Sequence, residues 1–100
     1  MKTSELTGAA LDWAVAKCEG FDNGDWLPDY STDWAAGGLI IECEGISIVR
    51  VSDSIWDAHM SNVNFYESGT TPLIAAMRCY VASNLGDDVE VPEELQGETA

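Results

Sequence analysis

The chain has 100 residues and a formal net charge of −14, because it carries 18 Asp and Glu but only four Lys and Arg. A charge of this sign repels nucleic-acid phosphates and anionic bilayers, and four scattered cations cannot form a basic stripe. The composition therefore argues against direct binding to nucleic acid or to a membrane. It favours a basic partner.

Length and apolar content suit one small domain, since hydrophobic residues make up 46% of the chain. No apolar run approaches the roughly 18 residues of a membrane span, and the first residues lack the apolar region of a signal peptide. We therefore expect a cytosolic protein with one α+β domain over residues 1–86 and an acidic tail, partly held against it, over residues 87–100.

The three cysteines, Cys18, Cys43 and Cys79, are widely spaced and include no C-x-x-C pair. Neither a disulfide framework nor a zinc site has this spacing. The sequence predicts free thiols, and it indicates no metal and no other cofactor.

The first predicted element is a helix from about residue 8 to residue 19. Thr7 is placed to cap its start, Leu6 and Leu11 occupy the two positions of a hydrophobic staple, and Gly20 follows its end. Together these signals predict a capped helix whose apolar face enters the core.

The next region is harder to assign. The run GFDNGDWLP at residues 20–28 is rich in turn formers and predicts an ordered surface loop. A second helix is predicted at about residues 32–44, with capping side chains at residues 31–33. The glycines at residues 37–38 each cost roughly 1 kcal/mol relative to Ala inside a helix. A break there, or a loop that leads into a strand at residues 39–43, is the alternative.

The second half of the chain has clearer signals. Residues 46–51 and 55–62 are rich in β-branched and aromatic side chains and predict an antiparallel hairpin. Thr71 at the N-cap, Pro72 at the first helical position and Gly86 past the end define a last helix. The predicted order is helix, helix, strand, strand, helix, with a small antiparallel sheet packed against the helices.

Several stretches also carry a resemblance to known proteins: ELTGAALDWAVAKCEG at 5–20, YSTDWAAGG at 30–38, IIECEGI at 40–46, Trp56-Asp57-Ala58, and TPLIAAMRCYVASNLGDDVEVPEEL at 71–95. They resemble the NinX-like family of small phage and prophage proteins over nearly the whole chain. YSTD followed by a helix, a Trp-containing strand and an Ala-rich last helix is more weakly similar to the phage domain called the ABA sandwich. The first resemblance implies a phage setting without an activity, and the second implies helix, sheet, helix layering.

The sequence contains no catalytic motif. His59 is the single histidine, and G-x-S-x-G, P-loop, G-x-G-x-x-G and H-E-x-x-H patterns do not occur. A catalytic triad or a His-rich metal site would have to form around this one residue, which is predicted on the surface of the second strand. We therefore expect a protein that is not an enzyme.

One candidate binding region is the densest cluster of polar and aromatic side chains outside the tail. Hydroxyls, a carboxylate and two aromatic faces in this cluster suit a small polar ligand. Helix capping with two packed aromatic rings explains the same residues. The cluster consists of Tyr30, Ser31, Thr32, Asp33 and Trp34.

A second candidate is the acidic surface. Residues 19–44 and residues 87–98 contain many carboxylates and no Lys or Arg. On one face they would suit a groove lined by Arg and Lys, although solubility alone accounts for the acidity equally well. The predicted binding residues are Asp22, Asp25, Asp29, Asp33, Asp87, Asp88 and Glu90.

These observations predict a phage accessory protein that binds a basic host protein in the bacterial cytoplasm. The expected partner is a nucleic-acid-binding or defence component, which the protein would inhibit, for example by imitating nucleic acid. The alternative is a small-ligand-binding protein that uses residues 30–34 as a homo-oligomer.

Overall fold

The computed structural model describes residues 1–20, 28–60, 66–92 and 95. Within these residues the chain forms a 3-10 turn at Thr3–Glu5, the helices α1 (Gly8–Cys18), α2 (Trp34–Glu44) and α3 (Pro72–Leu85), and the strands β1 (Ile46–Ser52), β2 (Ile55–Met60) and β3 (Tyr66–Gly69). This order confirms the predicted α+β class. No helix in these residues is long and apolar enough to cross a membrane.

The sheet is antiparallel, with the strand order β1-β2-β3. The predicted hairpin is confirmed: β1 pairs with β2 from Ile46 opposite Met60 to Arg50 opposite Trp56, and an irregularity follows between Arg50 and Ser52. The strand β3 was not predicted, because its sequence YESG lacks the β-branched pattern of a strand. The strand β3 pairs with β2 and also contacts α3.

The helix α3 is the centre of the molecule. It contacts α1 and α2, and it also contacts all three strands. Its buried side chains therefore surround the helix instead of forming one face, and they are Leu73, Ala75, Ala76, Met77, Cys79, Tyr80, Val81 and Ala82. The middle layer is thus α3, whereas the ABA-sandwich resemblance implies a sheet there.

The predicted caps are correct for α3 and in position for α1. Thr71 Oγ1 accepts a hydrogen bond from the Ile74 N–H at 3.1 Å, Pro72 begins α3, and Gly86 follows it with a φ of 87°. Thr7 is the N-cap residue of α1, but its side chain makes no capping hydrogen bond.

The helix α2 runs through both glycines without a break, so the alternatives of a broken helix and of a strand at residues 39–43 are wrong. Close packing explains this, because a Cβ at Gly37 would lie 2.3 Å from the Tyr30 carbonyl oxygen and 2.7 Å from Leu73 Cδ2. The absence of a side chain lets α2 approach both neighbours. This contact offsets the low helix propensity of glycine.

The first residues and the segment after α3 bind each other. The Thr3 N–H donates to the Asp87 carbonyl at 2.8 Å, and the Val89 N–H donates to the Met1 carbonyl at 2.8 Å. Val89 and Val91 are buried in the core. Part of the acidic segment is therefore anchored to the folded chain.

Candidate binding cavity beside the second helix

A cavity of about 500 Å³ lies beside α2. One face of the helix forms much of its wall, since positions 36, 39, 40, 43 and 44 recur at helical spacing. The volume falls within the range of pockets that hold small molecules or inserted side chains. The residues that line it are Glu19, Pro28, Tyr30, Ala36, Leu39, Ile40, Cys43 and Glu44.

Among the described residues, the charged groups that line the cavity are the carboxylates of Glu19 and Glu44. The hydroxyl of Tyr80, a residue of α3, donates a hydrogen bond to Glu19 Oε2. Burial raises the pKa of Tyr80 above its usual range, and the hydrogen bond to Glu19 and the charge of Glu44 raise it further. Both carboxylates therefore act on the same hydroxyl, and the lining residues within the described part of the chain include no cation.

Tyr30 is nearly buried and also lines the cavity. Burial raises the pKa of its phenol, and the charges of Glu19 and Asp12 act in the same direction. The local potential is therefore negative at two aromatic hydroxyls. A cation, or the positive end of a ligand, suits such a place.

Asp12 of α1 fixes the turn that carries Tyr30. Its Oδ1 accepts a hydrogen bond from the Ser31 N–H at 2.8 Å. Burial raises the pKa of Asp12, hydrogen bonding from Ser31 opposes that increase, and the charge of Asp29 adds to it. The carboxyl group therefore has a structural role, because it satisfies a buried backbone N–H beside the cavity.

The predicted ligand region at residues 30–34 is divided between two concavities. Tyr30 lines the large cavity, whereas Trp34 lines a separate depression of about 250 Å³. Trp34 is 54% exposed. The depression is lined by Ser31, Thr32, Trp34, Thr71, Pro72, Leu73 and Ile74. Within the described residues the two aromatic rings therefore do not flank one pocket.

Among the predicted acidic residues of the first stretch, Asp33 has a local structural contact. Its carboxylate caps α2 by accepting a hydrogen bond from the Ala35 N–H at 2.9 Å. Asp29 is exposed in the turn before the helix. Asp22 and Asp25 lie outside the described residues.

The second acidic stretch lies beside other elements. Asp88 pairs with the N-terminal ammonium group at 3.2 Å. Burial raises the pKa of Glu67 in β3, and the charge of Asp87 contributes to that increase. Glu90 is exposed. These contacts involve the chain start and β3, whereas Glu19 and Glu44 both act on Tyr80.

The sequence reasoning did not predict that Glu19 and Glu44 line the same cavity. The signal lay in α2, where Ala36, Ile40 and Glu44 recur every four residues and place a carboxylate at the end of an apolar stripe. Glu19 had no such signal. Its place depends on α3, which brings Tyr80 to the end of α1.

The cysteines and metal-binding groups show no further site. Cys18, Cys43 and Cys79 are free thiols. Burial raises the pKa of Cys18 and of Cys79 to about 11, so both are protonated at neutral pH. In the part of the chain that the structure describes, no group of three His, Cys, Asp or Glu side chains could hold a metal ion.

The fold and the cavity define a small α+β protein with an acid-flanked apolar cavity. The family described as Bacteriophage P22, NinX matches residues 23–84. The chain belongs to this family, and it is thus a bacteriophage accessory protein. No curated protein matches the chain.

Proposed function

We propose that this protein binds a basic bacterial protein, which inserts an Arg or Lys side chain into the cavity between Glu19 and Glu44. The protein acts by binding, without chemistry of its own. The observation that carries the proposal is the cavity itself, in which two carboxylates flank an apolar wall and none of the lining residues that the structure describes is cationic.

The chemistry of the lining favours a cation with an apolar stem. A guanidinium group donates paired hydrogen bonds to a carboxylate, and such charge-assisted bonds are about twice as strong as neutral ones. The stem of an Arg or Lys side chain packs on apolar surface while its charged end stays at polar groups. Leu39 and Ile40 offer that surface beside Glu44.

A protein partner would cover more of the exposed apolar surface around the cavity than a free small molecule would. The side chain of Leu39 is 62% exposed at the cavity, and that of Trp34, five residues earlier in the chain and beside the smaller depression, is 54% exposed. Exposed apolar groups of this size next to a pocket are typical of protein interfaces. The net charge of −14 would also steer a basic protein towards the molecule.

In its more specific form, the proposal is that the partner is a nucleic-acid-binding or defence protein of the bacterial cytoplasm, which the phage protein inhibits. The surface of a nucleic-acid-binding protein is rich in Arg and Lys, and a carboxylate is an acceptor for both, as a phosphate is. This form predicts that duplex DNA or RNA competes with the phage protein for the captured partner.

The test is capture of proteins from bacterial lysate on the immobilised chain, followed by purification of the captured protein. The site variant is Glu19→Gln with Glu44→Gln, which keeps a hydrogen-bond acceptor for Tyr80. A matched control is Glu5→Gln with Glu42→Gln, because these exposed residues carry the same charge and do not line the cavity.

Glu19 and Glu44 are exposed in the free protein, and an inserted Arg or Lys side chain would bury its charge against them. We therefore expect the site variant to weaken binding of a basic partner by about tenfold or more. The control variant should change the affinity by less than about threefold. Equal losses in both variants would show a diffuse charge effect and would contradict a site at the cavity. Capture of a small polar molecule instead, lost on Trp34→Ala, would support the ligand-binding alternative at residues 30–34.

A further inference from the structure

We infer that β1 is the edge through which two copies of this chain associate, with the two β1 strands antiparallel and their sheets continuous. This inference concerns a surface away from the cavity and does not depend on the proposed partner.

The strand order leaves β1 at an edge of the sheet. Among the described residues β1 pairs with β2 alone. It is seven residues long, and after Ile46 all its side chains are exposed or half-buried. Proteins usually protect an edge of this length by shortening it, by placing Pro or several charges in it, or by covering it. The sequence ISIVRVS contains no Pro and one charge, and the irregularity of the strand lies near its end.

The local charge indicates which molecule would pair with the β1 edge. The chain has a net charge of −14, yet Ile46–Ser52 contains no carboxylate and one cation, Arg50. A basic partner finds no attraction along this strand, whereas a second copy meets the least repulsion here. Arg50 is ion-paired with Asp53 of the same chain at 3.2 Å, so its charge is already compensated within each copy.

The exposed face of the sheet also favours association of two copies through β1. Val49 is 53% exposed, Val51 is 58% exposed and Ile55 is 37% exposed. Val49 and Ile55 alternate with the core-facing residues and therefore share the outer face of β1 and β2, where Asp57 lies opposite Val49. Val51 lies at the irregularity between Arg50 and Ser52. Antiparallel pairing centred on Val49 would place the Val49 side chains of the two copies side by side as cross-strand neighbours.

The test is sedimentation velocity of the full chain between about 10 and 500 µM protein, at about 0.05 M and 0.5 M salt. We expect a monomer–dimer equilibrium that becomes at least about threefold tighter at the higher salt, because screening reduces repulsion between two acidic bodies. Val49→Glu should weaken dimerisation about tenfold or more. Tyr66→Glu, an equal charge change at a 65% exposed site on the opposite edge, should leave it within about twofold.

Hydrogen exchange of the unmodified chain gives a second measurement that needs no variant. Amides of β1 should exchange more slowly at the higher protein concentration, and those of β3 should not change. A monomer at both salts over the whole concentration range would overturn the inference. An equal loss in Tyr66→Glu, or protection that appears at β3, would also overturn it. Val49→Glu leaves the cavity intact, so failure here is separate from failure of the proposed partner site.

Discussion

The cavity wall on α2 and the edge strand β1 follow each other directly in the chain, yet they offer opposite kinds of surface. The cavity is concave and flanked by Glu19 and Glu44. The strand is an exposed sheet edge that contains four β-branched apolar residues and no carboxylate. A net charge of −14 describes neither surface, since it is the local arrangement of charged side chains that selects a partner.

Salt distinguishes the two surfaces. Screening weakens attraction between the acidic cavity and a basic partner, and it also weakens repulsion between two copies of the chain. Rising salt should therefore release the partner proposed for the cavity and favour the pairing proposed for β1. Substitutions in the core, in α2 and beside the cavity should affect the two surfaces to different degrees.

Leu73→Ala should have the largest effect on the free energy of unfolding, a loss of about 2 to 5 kcal/mol. Leu73 is 3% exposed in α3, the helix that contacts both α2 and the sheet. Partner binding at the cavity and pairing through β1 should therefore weaken together. Urea denaturation measures the loss, with Val51→Ala as the control, because that exposed residue should cost within about 0.5 kcal/mol. An unchanged midpoint for Leu73→Ala would contradict the central place of α3.

Substitutions at the neighbouring glycines of α2 should change the free energy of unfolding by smaller amounts. They form a matched pair that tests the cavity side of the molecule alone. Gly37→Ala should lose about 1 to 3 kcal/mol, because its Cβ would overlap the Tyr30 carbonyl oxygen. Gly38→Ala should gain up to about 1 kcal/mol from helix propensity, since its nearest neighbour, Trp34 Cε3, lies at 3.6 Å. Thermal unfolding of both variants measures the difference, and equal midpoints would show that the close approach is not essential.

Much of the fold could be predicted from the sequence where several local signals agreed. In α3 the cap at Thr71, the proline at Pro72 and the glycine at Gly86 all define the same helix, and the structure confirms it. The continuity of α2 could not be predicted, since it depends on a contact of Gly37 with residues distant in sequence. The same holds for β3, whose partners β2 and α3 supply what its own sequence lacks.

Two substitutions at Asp12 distinguish the effect of its hydrogen bond on stability from the effect of its charge. Asp12→Ala leaves the buried Ser31 N–H without its acceptor and should cost about 1 to 3 kcal/mol. Asp12→Asn keeps an acceptor and removes the charge. Because burial raises the pKa of Asp12 in the folded state, its protonation stabilises the fold at acid pH, and this contribution is lost as pH rises through the folded pKa.

The stability of Asp12→Asn relative to the natural chain should therefore increase between about pH 4 and pH 7.5. Urea midpoints at the two pH values measure this difference. A constant difference would show that the Asp12 carboxyl group has the same pKa in the folded and unfolded chain, contrary to its burial.

The candidate site was less accessible to sequence reasoning than the fold. The sequence indicated an acidic, cation-free stretch at residues 19–44, and both carboxylates of the cavity belong to it. Which two carboxylates line the cavity depends on Tyr80 and α3, and no local pattern encodes that. Tyr30 and Trp34 are four residues apart, yet they line different concavities, since Tyr30 lies in the turn before α2 and Trp34 is the first residue of the helix.

The most direct test of the two-surface account is one salt titration that follows both associations. Partner affinity and dimer affinity are measured from about 0.05 to 0.5 M salt for the natural chain, for Glu19→Gln with Glu44→Gln, and for Val49→Glu. We predict that partner affinity falls with salt and is reduced only in the cavity variant, while dimer affinity rises with salt and is reduced only in Val49→Glu. A single variant that abolished both associations, or two affinities that changed with salt in the same direction, would contradict the account.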